Sequence, residues 1–373
     1  MTQKKTKPEE LLEKSHIDWS SQKIAAFQEI LLDWYAGNYK DLPWRHMAHN
    51  PYAIWVSEIM CQQTQTGTVI PYFEHWLTLF PTLEKLAAAP EEKVLKAWEG
   101  LGYYSRARNL QAGAQKILQK FGGKFPEELS EILSIKGIGP YTAAAIGSIC
   151  FGLVEPAIDG NLFRVTSRLF EISADISEAK TRSIFSSVLR DVMSHERPGD
   201  FNQAMMDLGN QICKPKEPDC LQCPIRDFCG ANRSGHQESF PVKSSKIKPK
   251  DVYYQAFVLE DKGAYYLVQR PTQGLLAAMW TFPMIETKNV HPKLPDEFSV
   301  DILKTEELGE ITHVFSHLRW HVRVIRCQLA GNFQKRTPKN AGWYEPEDFT
   351  KLVFPRPQVK MLKLLNLKES KRK

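Results

Sequence analysis

Residues 133–161 read Leu133-Ser-Ile-Lys-Gly-Ile-Gly-Pro-Tyr-Thr-Ala-Ala-Ala-Ile-Gly147, then Ser-Ile-Cys-Phe-Gly-Leu-Val-Glu-Pro-Ala-Ile-Asp-Gly-Asn161. A helix pattern ends at Ile135. Gly137 and Gly139 bracket Ile138 in a tight turn, and a second helix is expected from near Pro140, where the missing N–H costs nothing. Two glycines let backbone N–H groups come close to a phosphate at a helix N-terminus. The second helix should stop before Pro156, with Asp159-Gly160-Asn161 following in a turn.

Upstream, Gln22 to Tyr35 has helical apolar spacing through Ile24, Phe27, Ile30, Leu31 and Trp34. Leu42-Pro43-Trp44-Arg45 breaks it. A helix from Pro51 carries Trp55, Val56, Ile59 and Met60 and is expected to continue through Gln62-Gln63-Thr64-Gln65-Thr66. Glu58 sits inside its apolar part, where an ionised carboxylate is expensive unless paired. Phe80 to Trp98 reads as two short helices split at Pro90. Gly100-Leu-Gly-Tyr-Tyr-Ser-Arg-Ala-Arg108 reads as a loop whose tyrosines and arginines suit stacking on bases and holding phosphates. Downstream, Leu162–Phe170, Thr181–Ser194 and Phe201–Cys213 look helical. No strand pattern occurs before residue 232, which makes the first domain all-α.

The seven cysteines divide unevenly: Cys61, Cys150 and Cys327 are scattered, while Cys213, Cys220, Cys223 and Cys229 fall within 17 residues at intervals of six, two and five. Such clustering argues for a metal over disulfides. Structural zinc usually takes two close pairs further apart; four thiolates in one loop can also hold an iron–sulfur cubane.

Asn232–Lys250 is polar and lysine-rich, a linker by composition. From Asp251 the pattern changes to strands, Tyr253–Leu259 and Ala264–Gln269. Leu275 to Pro283 resembles the stretch ahead of the catalytic motif of Nudix hydrolases. Residues 284–310 contain no Arg-Glu-x-x-Glu-Glu, so the carboxylate spacing for magnesium is lacking and the domain reads as a recognition module. Ile311 to His317 leads into a strand, His321–Leu329, and Leu352–Leu367 into a closing helix.

Composition bounds the rest. The 373 residues, 42% hydrophobic with net charge +6, allow two domains with real cores and suit a DNA binder. The longest apolar run, Tyr141 to Val154, is too short to span a bilayer. With no signal-peptide pattern in the charged first residues, a soluble, cytosolic, nucleoid-associated protein is expected.

The hairpin with its trailing aspartate resembles the endonuclease III family of helix-hairpin-helix DNA glycosylases. Trp55-Val-Ser-Glu-Ile-Met60 with Gln62-Gln-Thr64, and the Gly100–Arg108 string, resemble its adenine DNA glycosylase subgroup. The resemblance covers residues 22–365. It implies an all-α helix-hairpin-helix glycosylase domain (21–232, hairpin 133–152) with an iron–sulfur loop (213–229). A flexible tail (1–20) would precede it, and a linker (233–250) and an α/β Nudix-like domain (251–367) would follow. The cysteine intervals then match a 4Fe-4S cluster on Cys213, Cys220, Cys223 and Cys229, with Lys214, Lys216 and Arg226 offering a basic surface to DNA.

Breaking a C1′–N bond needs the nucleotide out of the stack, a proton for the leaving base and a negative partner for the oxocarbenium. Glu58 is the expected acid and Asp159 the expected anion at C1′. Bifunctional relatives carry a Schiff-base lysine where this chain has Tyr141, so a monofunctional enzyme is expected. The resemblance further implies that Tyr141 and Asn161 support Asp159, that Trp44 and Arg45 border the adenine pocket, and that Gln63 and Tyr103 wedge into the duplex. It gives Gly137 and Gly139 to the DNA backbone, and Thr64 with Phe315-Ser316-His317 to 8-oxoguanine. Cys61 departs from the family's leucine. The implied substrate is duplex DNA with adenine opposite 8-oxoguanine or guanine, bound by a monomer without membrane contact. The rival expectations are a thymine glycosylase for G:T and a non-catalytic iron–sulfur DNA-binding protein.

Overall fold

The computed structural model describes residues 17–244, 249–287, 302–329 and 340–367. The chain forms two compact units, Met1–Ala88 with Asn109–Ser245, and Ala89–Arg108 with Lys246–Lys373. In chain order the helices are α1 (Ser21–Asn38), α2 (Pro51–Cys61), α3 (Thr66–Leu79), α4 (Leu83–Ala87), α5 (Glu91–Ala97), α6 (Ser105–Phe121) and α7 (Leu129–Leu133). They continue as α8 (Pro140–Phe151), α9 (Gly160–Phe170), α10 (Thr181–Val192), α11 (Pro198–Gln211), α12 (Gly230–Ser234) and α13 (Arg356–Leu364).

In the first unit, local chemistry sets the helix ends. Ser20 caps α1 by accepting from Lys23 N at 3.3 Å, and Asn50 caps α2 by accepting from Ala53 N at 3.1 Å, with Pro51 at the first position. The main core of this unit gathers Phe27 and Leu31 of α1, Leu162 of α9, Phe185 of α10, and Phe201 and Leu208 of α11, all fully buried. Each such side chain contributes about 1.5–3 kcal/mol by leaving water.

Several expectations need correction here. α2 does not continue past Cys61: Gln62 turns extended and Gln63 is left-handed, φ +59°, so Gln62–Gln65 is a turn between α2 and α3. Asp159 is not in a free turn but caps α9, which starts at Gly160. Residues 1–16 of the expected tail lie outside the described residues, but 17–20 are packed. The Trp19 ring lies 5.4 Å from Phe27 and 5.1 Å from Phe170. Much of the expected linker docks on the first unit, since Val242 O accepts from Ile176 N and Ser244 bonds Asp175; residues 245–248 lie outside the described residues.

The hairpin itself runs from α7 through Ser134–Gly139 into α8. Gly137 has φ +86°, and a Cβ there would stand 2.6 Å from the Asn109 Cβ. Gly139 is ordinary extended backbone with open space where a Cβ would go. Only Gly137 is therefore required for the chain's own packing. Gly152, φ +69°, ends α8 in the left-handed conformation.

The second unit is built on a mixed sheet in the order β3-β2-β1-β6-β5, with β4 also on β1 and β7 on β2. These are β1 (Lys250–Asp261), β2 (Ala264–Gln269), β3 (Trp280–Thr281), β4 (Met284–Glu286), β5 (Ile302–Val314), β6 (Leu318–Leu329) and β7 (Ala341–Tyr344). β1 and β6 pair in parallel from Lys250↔Leu318 to Glu260↔Gln328. Ala256 and Val258 point to the face covered by Met361 and Leu362 of α13, while Phe257 and Leu259 join Tyr266 and Cys327 in a second cluster. Burial on both faces explains why Ala256–Leu259, in the middle of β1, reads as an unbroken apolar run. Of the stretch that lacks the magnesium motif, residues 288–301 lie outside the described residues.

Three further expectations shift in this unit. Ile311–Val314 is not a lead-in but the end of β5, so Phe315-Ser316-His317 is the tip of the β5–β6 hairpin. The closing helix starts at Arg356 rather than Leu352, because Leu352 and Pro355 are extended and Pro355 and Pro357 delay the first turn. The loop expected over Gly100–Arg108 stops at Tyr104, and Arg106 and Arg108 lie on the first turn of α6. Gly100, Gly102 and Tyr103 carry it with φ of +98°, +73° and +46°.

Candidate active site

A cavity of about 1250 Å³ in the first unit is lined by Trp44, Arg45, Glu58, Gln63, Thr64, Tyr141, Asp159 and Asn161, among others. Eight residues expected at the site therefore converge on it, from the short turn Pro43–Met47, α2 and its following turn, the hairpin helix α8, and the start of α9. Glu58 projects from an otherwise buried stretch of α2. The Tyr141 O–H, expected to support Asp159, donates instead to Glu58 Oε2 at 2.5 Å. Glu58 keeps some solvent contact through the cavity, yet protein surrounds it closely enough that burial raises its pKa from 4.5 to about 7. The Tyr141 bond opposes that rise, the Asp159 charge adds to it, and Arg45 opposes it. Burial and the same carboxylates hold the Tyr141 phenol far above its usual range.

Asp159 is anchored differently. Its Oδ1 accepts from Asn161 N at 2.9 Å and Leu162 N at 2.8 Å, and its Oδ2 from Asn161 Nδ2 at 2.7 Å. Burial raises its pKa, and these three donors pull it back. Burial thus raises both carboxyls, Glu58 to about 7, while three N–H donors at Asp159 favour its anion where Glu58 has the single Tyr141 bond. Such a split assigns different work to two acids in one site.

Four contributors were missed by sequence reasoning. Arg164 donates from Nη2 to Asn161 Oδ1 at 2.8 Å and from Nε to Cys213 O at 2.7 Å, linking the Asp159 support to the cysteine loop. Asn202, fully buried on α11, accepts from Ala157 N and donates to Glu155 O and Ser148 Oγ, each at 2.9 Å. It clamps the strap that carries Asp159. Arg182 donates to Ile158 O at 2.8 Å and lines the cavity. Asp207 takes both ends of the Arg45 guanidinium at 2.7 and 2.9 Å. A usable signal existed for Arg164 alone: Asn161 and Arg164 are three apart on one helix face. The others act across long sequence separations.

Arg45 is consequently committed to a buried ion pair at the cavity wall, and the Trp44 ring packs edge-on against Phe73 at 5.3 Å. The remaining expected residues lie in the second unit. There a cavity of about 460 Å³ is lined by Tyr103, Phe315, Ser316 and His317 with Arg108 and Arg356. Phe315 packs at 4.9 Å on Trp320, which leaves Ser316 and His317 exposed at the hairpin tip.

The four clustered cysteines are half-buried free thiols. Among the described residues no three His, Cys, Asp or Glu side chains converge on one point as a single ion requires. Burial, reinforced by the neighbouring thiols, holds the Cys223 thiol up at about 12. Beside them Arg168, 2% exposed, gives its guanidinium to the carbonyls of Gln237, Phe240, Lys214 and Pro215 and to Cys213 Sγ at 3.3 Å. It forms no ion pair with a carboxylate among the described residues. A buried cation without an acid partner is costly, and four thiolates on a cubane would supply the missing negative charge. The donor set fits that group.

A family profile described as "HhH-GPD superfamily base excision DNA repair protein" matches residues 56–191, and a NUDIX domain profile matches 255–364. A solved thermostable thymine-DNA glycosylase superposes with TM-score 0.52 at 25% identity, over 57% of this chain and 98% of that one. The helical unit thus has the fold of a helix-hairpin-helix base excision repair protein. The adenine DNA glycosylase of Mus musculus is 34% identical, covering 96% of this chain and 82% of its own. That of Buchnera aphidicola subsp. Acyrthosiphon pisum is 32% identical over 90% and 96%. The chain belongs to the adenine DNA glycosylase family, hydrolases acting on N-glycosyl bonds in base excision repair. DNA is its partner. Among the described residues no helix is long and apolar enough to cross a membrane.

Proposed function

We propose that the enzyme removes adenine paired with 8-oxoguanine, and with guanine, from duplex DNA by flipping the nucleotide and hydrolysing its N-glycosyl bond, without cutting the strand. The observation that carries this reading is the convergence of Glu58 and Asp159 on one cavity with unequal hydrogen-bond support, one donor at Glu58 and three at Asp159. Glu58, neutral below about pH 7, gives its proton to N7 of the leaving base. Asp159 faces C1′ as the anion that stabilises the oxocarbenium. Tyr141 orients Glu58 and, being no amine, forms no imine with C1′.

Trp44 and Arg45 border the base, with Arg45 fixed through Asp207. Gln63 and Tyr103 enter the duplex, and Thr64, Ser316 and His317 read the opposite base. The shared cavity of Tyr103 with the Phe315–His317 tip supports that assignment. Open space at Gly139 suits close approach of a phosphate. Cys213, Cys220, Cys223 and Cys229 hold a 4Fe-4S cluster, which when bound ties the loop together. Exposed Lys214, Lys216 and Arg226 then present that loop to the DNA backbone. The enzyme acts as a monomer on chromosomal DNA in the cytoplasm.

The test is a duplex assay with A:8-oxoguanine, A:G and T:G substrates, with and without hot alkali. Adenine release with alkali-dependent breakage is expected. Activity on T:G alone, or strand breakage without alkali, would overturn the reading.

A further inference from the structure

Four charged or ionisable side chains of the catalytic cavity have their partners within the protein. Arg45 pairs with Asp207. Lys40 Nζ donates to Thr66 Oγ1 at 2.6 Å. Asp159 accepts from three donors, and Glu58 accepts from Tyr141. Arg182 is different. Its Nη1 donates to Ile158 O at 2.8 Å and its guanidinium stands over the Phe163 ring at 5.5 Å. Among the described residues the guanidinium has no other hydrogen bond and no ion pair, although the Asp159 charge acts on it, so its remaining N–H donors are unmatched at the cavity wall.

A half-buried guanidinium with unmatched donors is a site for an anion, and Arg geometry suits a phosphate bidentately. The carboxylates lining the cavity, Glu58, Asp159 and Asp207, already accept from other donors, and none is hydrogen-bonded to Arg182, so a closely paired anion would arrive with the ligand. The proposed ligand is a nucleotide, and its anionic part is the phosphodiester. Arg182 is tied to the residue immediately before Asp159, the carboxylate placed at the sugar. A phosphate next to that sugar would fall within reach of Arg182. Gly160, also on the cavity wall, offers no side chain to obstruct it, with nothing within 4 Å of where a Cβ would stand.

We infer that Arg182 binds a phosphodiester flanking the extruded adenosine. There it offsets the repulsion between that phosphate and Asp159, so that the carboxylate can sit at C1′. The inference rests on the proposed reading of the cavity as the seat of a flipped nucleotide.

The test uses the full-length protein and duplexes carrying a neutral methylphosphonate at the linkage 5′ or 3′ to the adenine. R182Q is expected to weaken binding of the all-phosphate A:8-oxoguanine duplex about 10-fold and to lower the log–log salt slope by about one. One of the two neutral linkages should weaken wild-type binding by a similar factor and leave R182Q unaffected, with R182K intermediate. Additive effects at both linkages, or slower excision with unchanged affinity and salt slope, would reduce Arg182 to a support for Ile158 and overturn the inference. Wild-type adenine release from the unmodified duplex is the control. Its failure would sink the functional reading, whereas its success with additive linkages would sink only Arg182.

Discussion

Glu58 carries the account at the scale of one residue. Its pKa lies at about 7 in the folded protein against 4.5 ordinarily, so the native state holds the proton more tightly. The stabilising contribution of neutral Glu58 is complete below pH 4.5 and is lost as pH rises through about 7. E58Q copies the neutral form. At pH 8 it should stabilise the protein by about 1–2 kcal/mol, a figure discounted for the solvent that reaches the cavity, while excision falls at least about 10³-fold. Thermal melting at pH 5 and pH 8 checks the sign: no gain at the higher pH would mean the carboxyl is not strained there. D159N should separate the two functions of its residue, since Asn caps a helix about as well as Asp. Stability within about 0.5 kcal/mol and near-complete loss of activity are expected. A large drop in melting temperature would give Asp159 a structural task instead. Both acids were legible in the sequence, Glu58 as a charge in an apolar helix and Asp159 by its distance after the hairpin. Tyr141's bond to Glu58 was not, because the two lie 83 residues apart and local spacing carries no trace of such a contact.

Elements explain why the two hairpin glycines are unequal. G137A would place a Cβ against Asn109 at a left-handed position, costing about 1–3 kcal/mol. G139A meets nothing within the protein and should leave stability unchanged, yet weaken duplex binding by crowding an approaching backbone. Denaturation midpoints and duplex affinities for the pair test this; equal destabilisation by both would contradict it. The strap before Asp159 depends likewise on Asn202. N202A leaves the buried Ala157 N and the half-buried Glu155 O without partners, costing about 2 kcal/mol. Helices with caps and prolines at their starts were readable from sequence. The turn at Gln62–Gln65 was not, because glutamine and threonine carry no obligatory turn signal and nothing local announces a left-handed Gln63. The docking of residues 232–244 was hidden for a similar reason, since its backbone groups bond to Asp175 and Arg168 and its composition still reads as a tether.

On the scale of the whole molecule, the second unit includes more than the sheet. Lys96 donates to Leu352 O, Glu99 accepts from Phe354 N, Arg356 donates to Gly100 O, and Arg108 donates to Ala277 O. The loop carrying Tyr103 is thus built into the unit that carries Ser316. A change of pattern at Asp251 announced the sheet, but nothing local marked residues 89–108 as part of it, because the partners lie some 250 residues away. A chain ending at Ser244 should therefore keep the Glu58 cavity but lose protection over Gly100–Arg108. Hydrogen exchange there is expected to quicken at least about 10-fold, with discrimination between 8-oxoguanine and guanine opposite adenine reduced. Unchanged exchange would show that the loop holds its form without the sheet.

The central claim is that a neutral Glu58 starts the cleavage of a base whose sugar faces Asp159. Single-turnover adenine release from an A:8-oxoguanine duplex, followed over about two pH units either side of the Glu58 pKa, addresses it most directly. The rate constant should fall about tenfold per pH unit above about 7, and E58Q should be inactive throughout. A rate that stays level across that range in the wild-type enzyme, or an E58Q variant that matches it, would contradict the account.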